Sequence, residues 1–137
     1  MTAMYGFIAP DVEELVVAWL TPLGPTSVER PAGAVLPYRM VNRVAGADDI
    51  YIASDDPVVS VHTFAATRTA AKTEARVTHR RMLVLANNPM TNVVMPSGTG
   101  NVEYLETFEG PYWVDYLDKT VSRYVARYRL GLKFVAV

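Results

Sequence analysis

No cysteine occurs among the 137 residues, which removes disulfides, thiolate metal sites and cysteine nucleophiles together. The redox compartment is left open by that absence. Histidine is nearly as scarce, with His62 and His79 alone. Neither sits in the HExxH or His/Asp spacing that a metal site needs. Neither sign of charge dominates: 13 Lys and Arg stand against 14 Asp and Glu, a formal net charge of -1. Such a chain has no overall pull toward nucleic acid or anionic lipid, although local patches are allowed. The opening MTAMYGFIAP has no basic run and no sustained apolar run, so neither a secretory signal nor a membrane span is expected there. There is no GxSxG, and Ser97-Gly98-Thr99-Gly100 lacks the lysine and following helix of a phosphate loop.

What is present is the material of a folded chain. Half of the residues are hydrophobic and a fifth are charged. A chain of this length buries roughly two-thirds of its unfolded surface, so one domain over residues 1–137 is expected. The stretch Pro57 to Ala86 organises it. Val59, Val61 and Thr63 alternate with Val58, Ser60, His62 and Phe64, the period of a half-buried strand over Val58 to Ala65. Past Ala66 the period becomes helical. Ala71, Ala75, Thr78, Met82, Leu85 and Ala86 share one face, and Lys72, Arg76 and Arg80 point away from it.

The remaining segments fall around that unit. Pro10 to Leu20 predicts a helix with proline at its first position, acidic residues in its first turn, and a stripe of Val12, Leu15, Val16, Trp19 and Leu20. Thr26 to Arg30 and Tyr38 to Val44 read as strands, Gly46 to Asp49 as a turn, and Ile50 to Ala53 as a short returning strand. Asn87-Asn88-Pro89 ends the second helix, and the region from there to Gly100 reads mostly as a flexible loop around Val93, Val94 and Met95. Asn101 to Glu109 alternates, with Val102, Tyr104 and Phe108 on one side. Gly110-Pro111 interrupts before Tyr112 to Tyr116, and Thr120 to Ala136 is a long strand. The fold class expected is α/β (α+β): a small, mixed, mainly antiparallel sheet flanked by two helices.

Chemistry is sparse. His62 with Asp55 or Asp56 is the one acid–base pairing the sequence offers, and against it stands a packed strand histidine beside turn aspartates that bond their local backbone. Asp48-Asp49 reads the same way. Arg123, Arg127 and Arg129 alternate along the last strand, with Tyr112, Trp113 and Tyr116 close in sequence. Three readings of that row stay open: a solvated face paired with Glu103, Glu106 and Glu109, a protein interface, or a nucleic-acid surface.

The segments PDVEELVVAWLTPLG, LPYRMVNRVAGADD, DDPVVSVHTFAATRTAAKTEARVTHRRMLVL and GPYWVDYLDKTVSRYVARYRLGLKF together resemble tail terminator proteins of long-tailed, non-contractile phages, closest to those of actinobacteriophages. The most specific element is His62-Thr63-Phe64-Ala65 leading through Thr67-Arg68 into the alanine-rich helix, with Leu36-Pro37-Tyr38 upstream. The resemblance implies a virion structural protein without enzymatic activity or cofactor. It implies a hexameric ring that caps the tail tube, meets the major tail tube protein on one side and a head-side connector or stopper on the other, and lets DNA pass without reading its sequence. Another neck or tail-completion protein is the nearest alternative; a small enzyme or a nucleic-acid-binding module lies further off. Residues 1–9 extend ahead of the family's first helix, and Met4 is a second possible start. No membrane partner is implied. On physical grounds the contact residues are sought in Arg123, Arg127 and Arg129, in the loop residues Val93, Val94 and Met95, and in Asp48 and Asp49. A free edge of the last strand would pair with a neighbour. Deleting Thr91–Thr99 is expected to leave the fold intact.

Overall fold

The computed structural model describes residues 6–136. Two helices pack on one face of a curled, mainly antiparallel sheet, as expected. The order is β1 (Phe7–Ile8), α1 (Val12–Leu20), a 3-10 turn (Thr21–Leu23), β2 (Thr26–Ser27), β3 (Tyr38–Ala45), β4 (Asp48–Asp49), β5 (Ser54–Asp55), β6 (Val58–Ala65), α2 (Arg68–Asn87), β7 (Thr91–Met95), β8 (Gly98–Val114), β9 (Ser122–Lys133) and β10 (Val135–Ala136).

Strands β3, β6, β9 and β8 lie side by side and antiparallel. β2 adds a short parallel edge to β3, and β7 pairs with the first residues of β8. Strand β9 is therefore central. β6 and then β5 hold one of its edges and β8 holds the other, so it has no free edge to offer a neighbour, contrary to expectation. Its alternation is long because it pairs along its whole length, with β6 and then β5 on one edge and β8 on the other. β6 is likewise internal, and seven of its eight residues are buried, where the sequence period suggested one wet face. A strand flanked on both edges and covered on both faces has little left to expose.

The first helix begins at Val12, not at proline. Asp11 is its N-cap, accepting from the amides of Glu13 and Glu14 at 3.0 and 3.3 Å, and Pro10 precedes it. Val12, Leu15, Val16 and Leu20 enter the core. Trp19 is only partly buried: its indole N–H donates to the Arg81 carbonyl at 3.0 Å, and the Arg81 guanidinium lies 4.2 Å from its ring centre. That contact clasps α1 to α2.

Between Asn87 and Gly100 the chain is ordered as a hairpin, with Thr91–Met95 paired against Gly98–Val102. Val93 and Met95 are buried in the main core, and only Val94 points out, 77% exposed. The hairpin turn is tethered to α1, since the Ser97 amide and hydroxyl both donate to the Glu14 carboxylate at 2.8 Å. Removing Thr91–Thr99 would open the core, so the expectation of an intact fold does not hold.

The long strand β8 runs through Gly110-Pro111 without a break, but with register shifts at 102/104, 107/109 and 109/112. The first shift turns Val102 and Leu105 both inward and leaves Tyr104 and Phe108 outside, which no strict alternation predicts. Ile50 to Ala53 forms the turn of a tight hairpin, and the strand pairing is made by Asp48–Asp49 with Ser54–Asp55. Phe7–Ile8, within the extension ahead of the first helix, pairs antiparallel with Val135–Ala136. Residues 1–5, including Met4, lie outside the described residues.

Candidate functional site

The arginine row lies on the sheet face away from the helices. Register places Glu106 opposite Arg129 and Glu109 opposite Arg127. The ion-pair distances are 3.6 Å for Arg129–Glu106 and 3.3 Å for Arg127–Glu109, with Asp56 3.8 Å from Arg129. Arg123 donates to the Asp115 carbonyl at 3.1 Å and lies over the Tyr116 ring. The three cations thus meet three carboxylates, a carbonyl and two aromatic rings of their own chain, Arg129 lying over Phe108. The 3.3 Å contact is off the hydrogen-bonding line: among the described residues the Nε atoms of all three arginines have no hydrogen-bond partner. Arg127 and Arg129 are thus ion-paired within the chain, which leaves less free charge for a phosphate backbone, while Arg123 is held by a carbonyl and a ring.

His62 lies on the same face, with Nε2 3.1 Å from the Ser60 hydroxyl. Burial, helped by the nearby charges of Arg123 and Arg127, lowers its pKa from 6.5 to about 4. Its suggested partners are elsewhere. Asp55 faces Leu132 of β9 while His62 faces Val125, a separation of seven residues or about 23 Å along the strand at roughly 3.3 Å per residue. Asp55 is buried and not in a turn bonding its backbone. It accepts both ends of the Arg43 guanidinium, at 2.7 and 2.9 Å, and that bond holds the Arg43 pKa above its ordinary value. Asp56 accepts from the Tyr104 hydroxyl, and burial with that bond pushes the phenol up to about 12. The structure does not assemble His62 with either aspartate. Among the described residues, no group of three or more His, Asp or Glu is placed to hold a metal ion.

Two other surfaces carry uncompensated features. On α2, Arg68, Lys72, Arg76 and Arg80 recur at four-residue spacing and form one exposed ridge. Among the described residues none of the four makes an ion pair, although Arg68 stacks 4.6 Å over Trp113. Like charges at i,i+4 oppose helix formation by about 0.2–0.5 kcal/mol per pair, so the ridge is a cost that the fold itself does not require. Beneath it runs a groove of about 620 Å³, whose apolar wall includes Val77, Leu83, Pro111 and Tyr124. His79 lines it too; its Nδ1 is 2.8 Å from the Tyr128 hydroxyl, and burial and the Arg76 charge lower its pKa. Sequence reasoning noted the outward cations without seeing a site. The signal was available in the spacing, since Glu74, the one acid between Arg68 and Arg80, is at neither i±3 nor i±4 of any of the four.

The β4–β5 hairpin is the opposite kind of surface. Asp48 and Asp49 are exposed at its base, and its turn presents Ile50, Tyr51 and Ile52 at 57, 96 and 71% exposure. The Asp49 carboxylate accepts from the Tyr51 amide at 2.9 Å, which stiffens the turn. Asp48, Asp49 and Val94 are therefore accessible, as a contact role requires. Val93 and Met95 are not: they pack inside the chain's own core and are withdrawn as contact residues.

The architecture defines a small α+β protein, two helices on a mostly antiparallel curled sheet. No family model and no curated protein matches the chain. Among solved structures, it is similar in fold to a chain from the virion of a native gene transfer agent (GTA) particle. The TM-score is 0.51 and the identity 20%, with 83% of each chain covered.

Proposed function

We propose that this protein is a structural component of a phage or phage-like virion, and within it the terminator of a non-contractile tail. The observation that carries the proposal is the fold shared with a chain of the gene transfer agent virion over 83% of both chains. The family resemblance of the four sequence segments narrows the reading to the tail cap. In this reading copies of the chain close into a hexameric ring on the last layer of the tail tube. The ring ends polymerisation, presents its other side to the head connector, and leaves a lumen for DNA. It acts by contact alone, without catalysis or cofactor, and it resides at the neck of the particle after assembly in the host cytoplasm.

The separation of His62 from Asp55 and the own-chain pairing of the arginine row support binding over catalysis and over nucleic-acid recognition. Rings of identical subunits need a heterologous contact that closes, and the basic ridge and the acidic hairpin are two unlike surfaces on one chain. Electron microscopy of particles made without the protein tests the role. Overlong or unjoined tails are expected. Leaky heads beside tails of normal length would assign the protein to the head-side neck instead, and normal particles would end the proposal.

A further inference from the structure

The basic groove and the acidic hairpin have opposite charge and matching apolar character, yet they cannot meet within one chain. Both are attached to β9. Ser54 and Asp55, the foot of the hairpin, face Lys133 and Leu132, whereas the groove is floored by Tyr124. Tyr124 and Leu132 are eight steps apart along the strand, about 26 Å. We infer that the β4–β5 hairpin of one copy docks into the α2 groove of the next, with Tyr51 against the apolar wall and Asp48 and Asp49 against Arg76 and Arg80.

Two observations point to a second copy as occupant. The hairpin turn exposes three consecutive apolar residues, which water disfavours and a groove lined by Val77, Leu83 and Pro111 would cover. The aspartates just before that turn carry the sign that the cationic ridge lacks at i±3 and i±4 on its own helix, where Glu74 is turned to Arg39. An aromatic anchor flanked by complementary charge is the usual make-up of an interface centre. The contact joins two different surfaces, so it propagates head to tail, and each subunit offers one hairpin and one groove. This deepens the ring reading above, on which its biological meaning rests.

The missing cysteines make the test direct. In a chain carrying Ile52→Cys and Thr73→Cys together, which keeps Tyr51, mild oxidation of the purified protein is expected to give a ladder of covalent multimers. Each single variant can give at most a symmetric dimer. Charge supplies the second arm. Asp48→Lys with Asp49→Lys, and separately Arg76→Glu with Arg80→Glu, should each lower the associated fraction in sedimentation by at least tenfold. Mixing the two variant chains should restore it, because each reversed surface then meets its complement. Oxidation of the double variant that stops at dimers, as in the single variants, overturns the docking, as does a wild-type chain that sediments only as a monomer while the double variant forms no ladder. So does loss of association that mixing fails to rescue. Retention on duplex DNA that Arg76→Glu with Arg80→Glu abolishes, in the absence of a ladder, would give the groove to nucleic acid instead. Tail length in particles lacking the protein is a separate readout, so the docking and the tail role can fail independently.

Discussion

Arg39 and Glu74 join β3 to α2 through a 2.7 Å ion pair in which the arginine side chain is fully buried and the glutamate one-third exposed. The Arg39 Nε also donates to the Thr78 hydroxyl at 2.8 Å. A charge placed there depends on its partner, because breaking a buried pair strands the remaining ion in a poor solvent. Glu74→Ala is expected to lower unfolding free energy by about 2–3 kcal/mol, at or below the range of about 3–5 kcal/mol for fully buried pairs because Glu74 keeps some water. Arg39→Met combined with Glu74→Ala should cost less than Glu74→Ala alone. Urea denaturation of the three chains checks the order, and additive losses would contradict it.

Acid should destabilise the protein partly through His62. The unfolded side chain takes up its proton near pH 6.5 and the folded one only near 4. Between those values the unfolded state binds more protons, so stability falls as pH falls through the window. Since the ring keeps some exposure, its share is about 1–2 kcal/mol, below what the full shift would give. His62→Asn should flatten the stability profile between pH 4 and 6.5 relative to wild type. Parallel profiles would show that His62 titrates normally.

Two neighbours in β7 should behave oppositely. Met95→Ala removes a buried side chain and is expected to cost about 2–4 kcal/mol. Val94→Ala, on the exposed side of the same strand, should stay within about 0.5 kcal/mol. Thermal unfolding of both variants decides whether the segment is the ordered hairpin described or a loop in which the two substitutions would be alike.

Gly46 sits at φ +92°, and a Cβ there would lie 2.2 Å from the Asp56 carbonyl oxygen and 2.8 Å from the Pro57 Cα. Backbone atoms cannot swing aside as a side chain does. Gly46→Ala is expected to cost about 3 kcal/mol or more, from left-handed strain and overpacking together. Circular dichroism melts suffice to check it, and a wild-type midpoint would contradict the close approach.

Local pattern revealed β6 and α2 nearly to the residue, because Val58–Ala65 and Ala71–Leu85 carry clean periods of 2 and 3.6. It failed where one residue changes the count. The shift between Val102 and Tyr104 breaks the alternation of β8, and Asn-Asn-Pro with the following Pro and Gly gave the β7–β8 hairpin the composition of a loop. It also could not show which strand sits in the middle. Arg39 illustrates the limit: in sequence it is one more charged residue on an alternating strand, and only the packing of α2 over β3 makes it a core residue. The candidate site divided likewise. Exposure of Asp48 and Asp49 was legible in their turn-like context, whereas the groove needs Pro111 of β8 and Val77 of α2 brought together by tertiary packing.

Because the hairpin and the groove are both pinned to β9, their spacing is the length of one stretch of strand, and hydrogen bonds on both edges keep that strand from bending or slipping. The chain thereby contains a built-in ruler. Any partner that engages both features is held at a repeat graduated in single residues of about 3.3 Å, and a change that kept every side chain on its proper face would have to come in steps of two residues, about 7 Å.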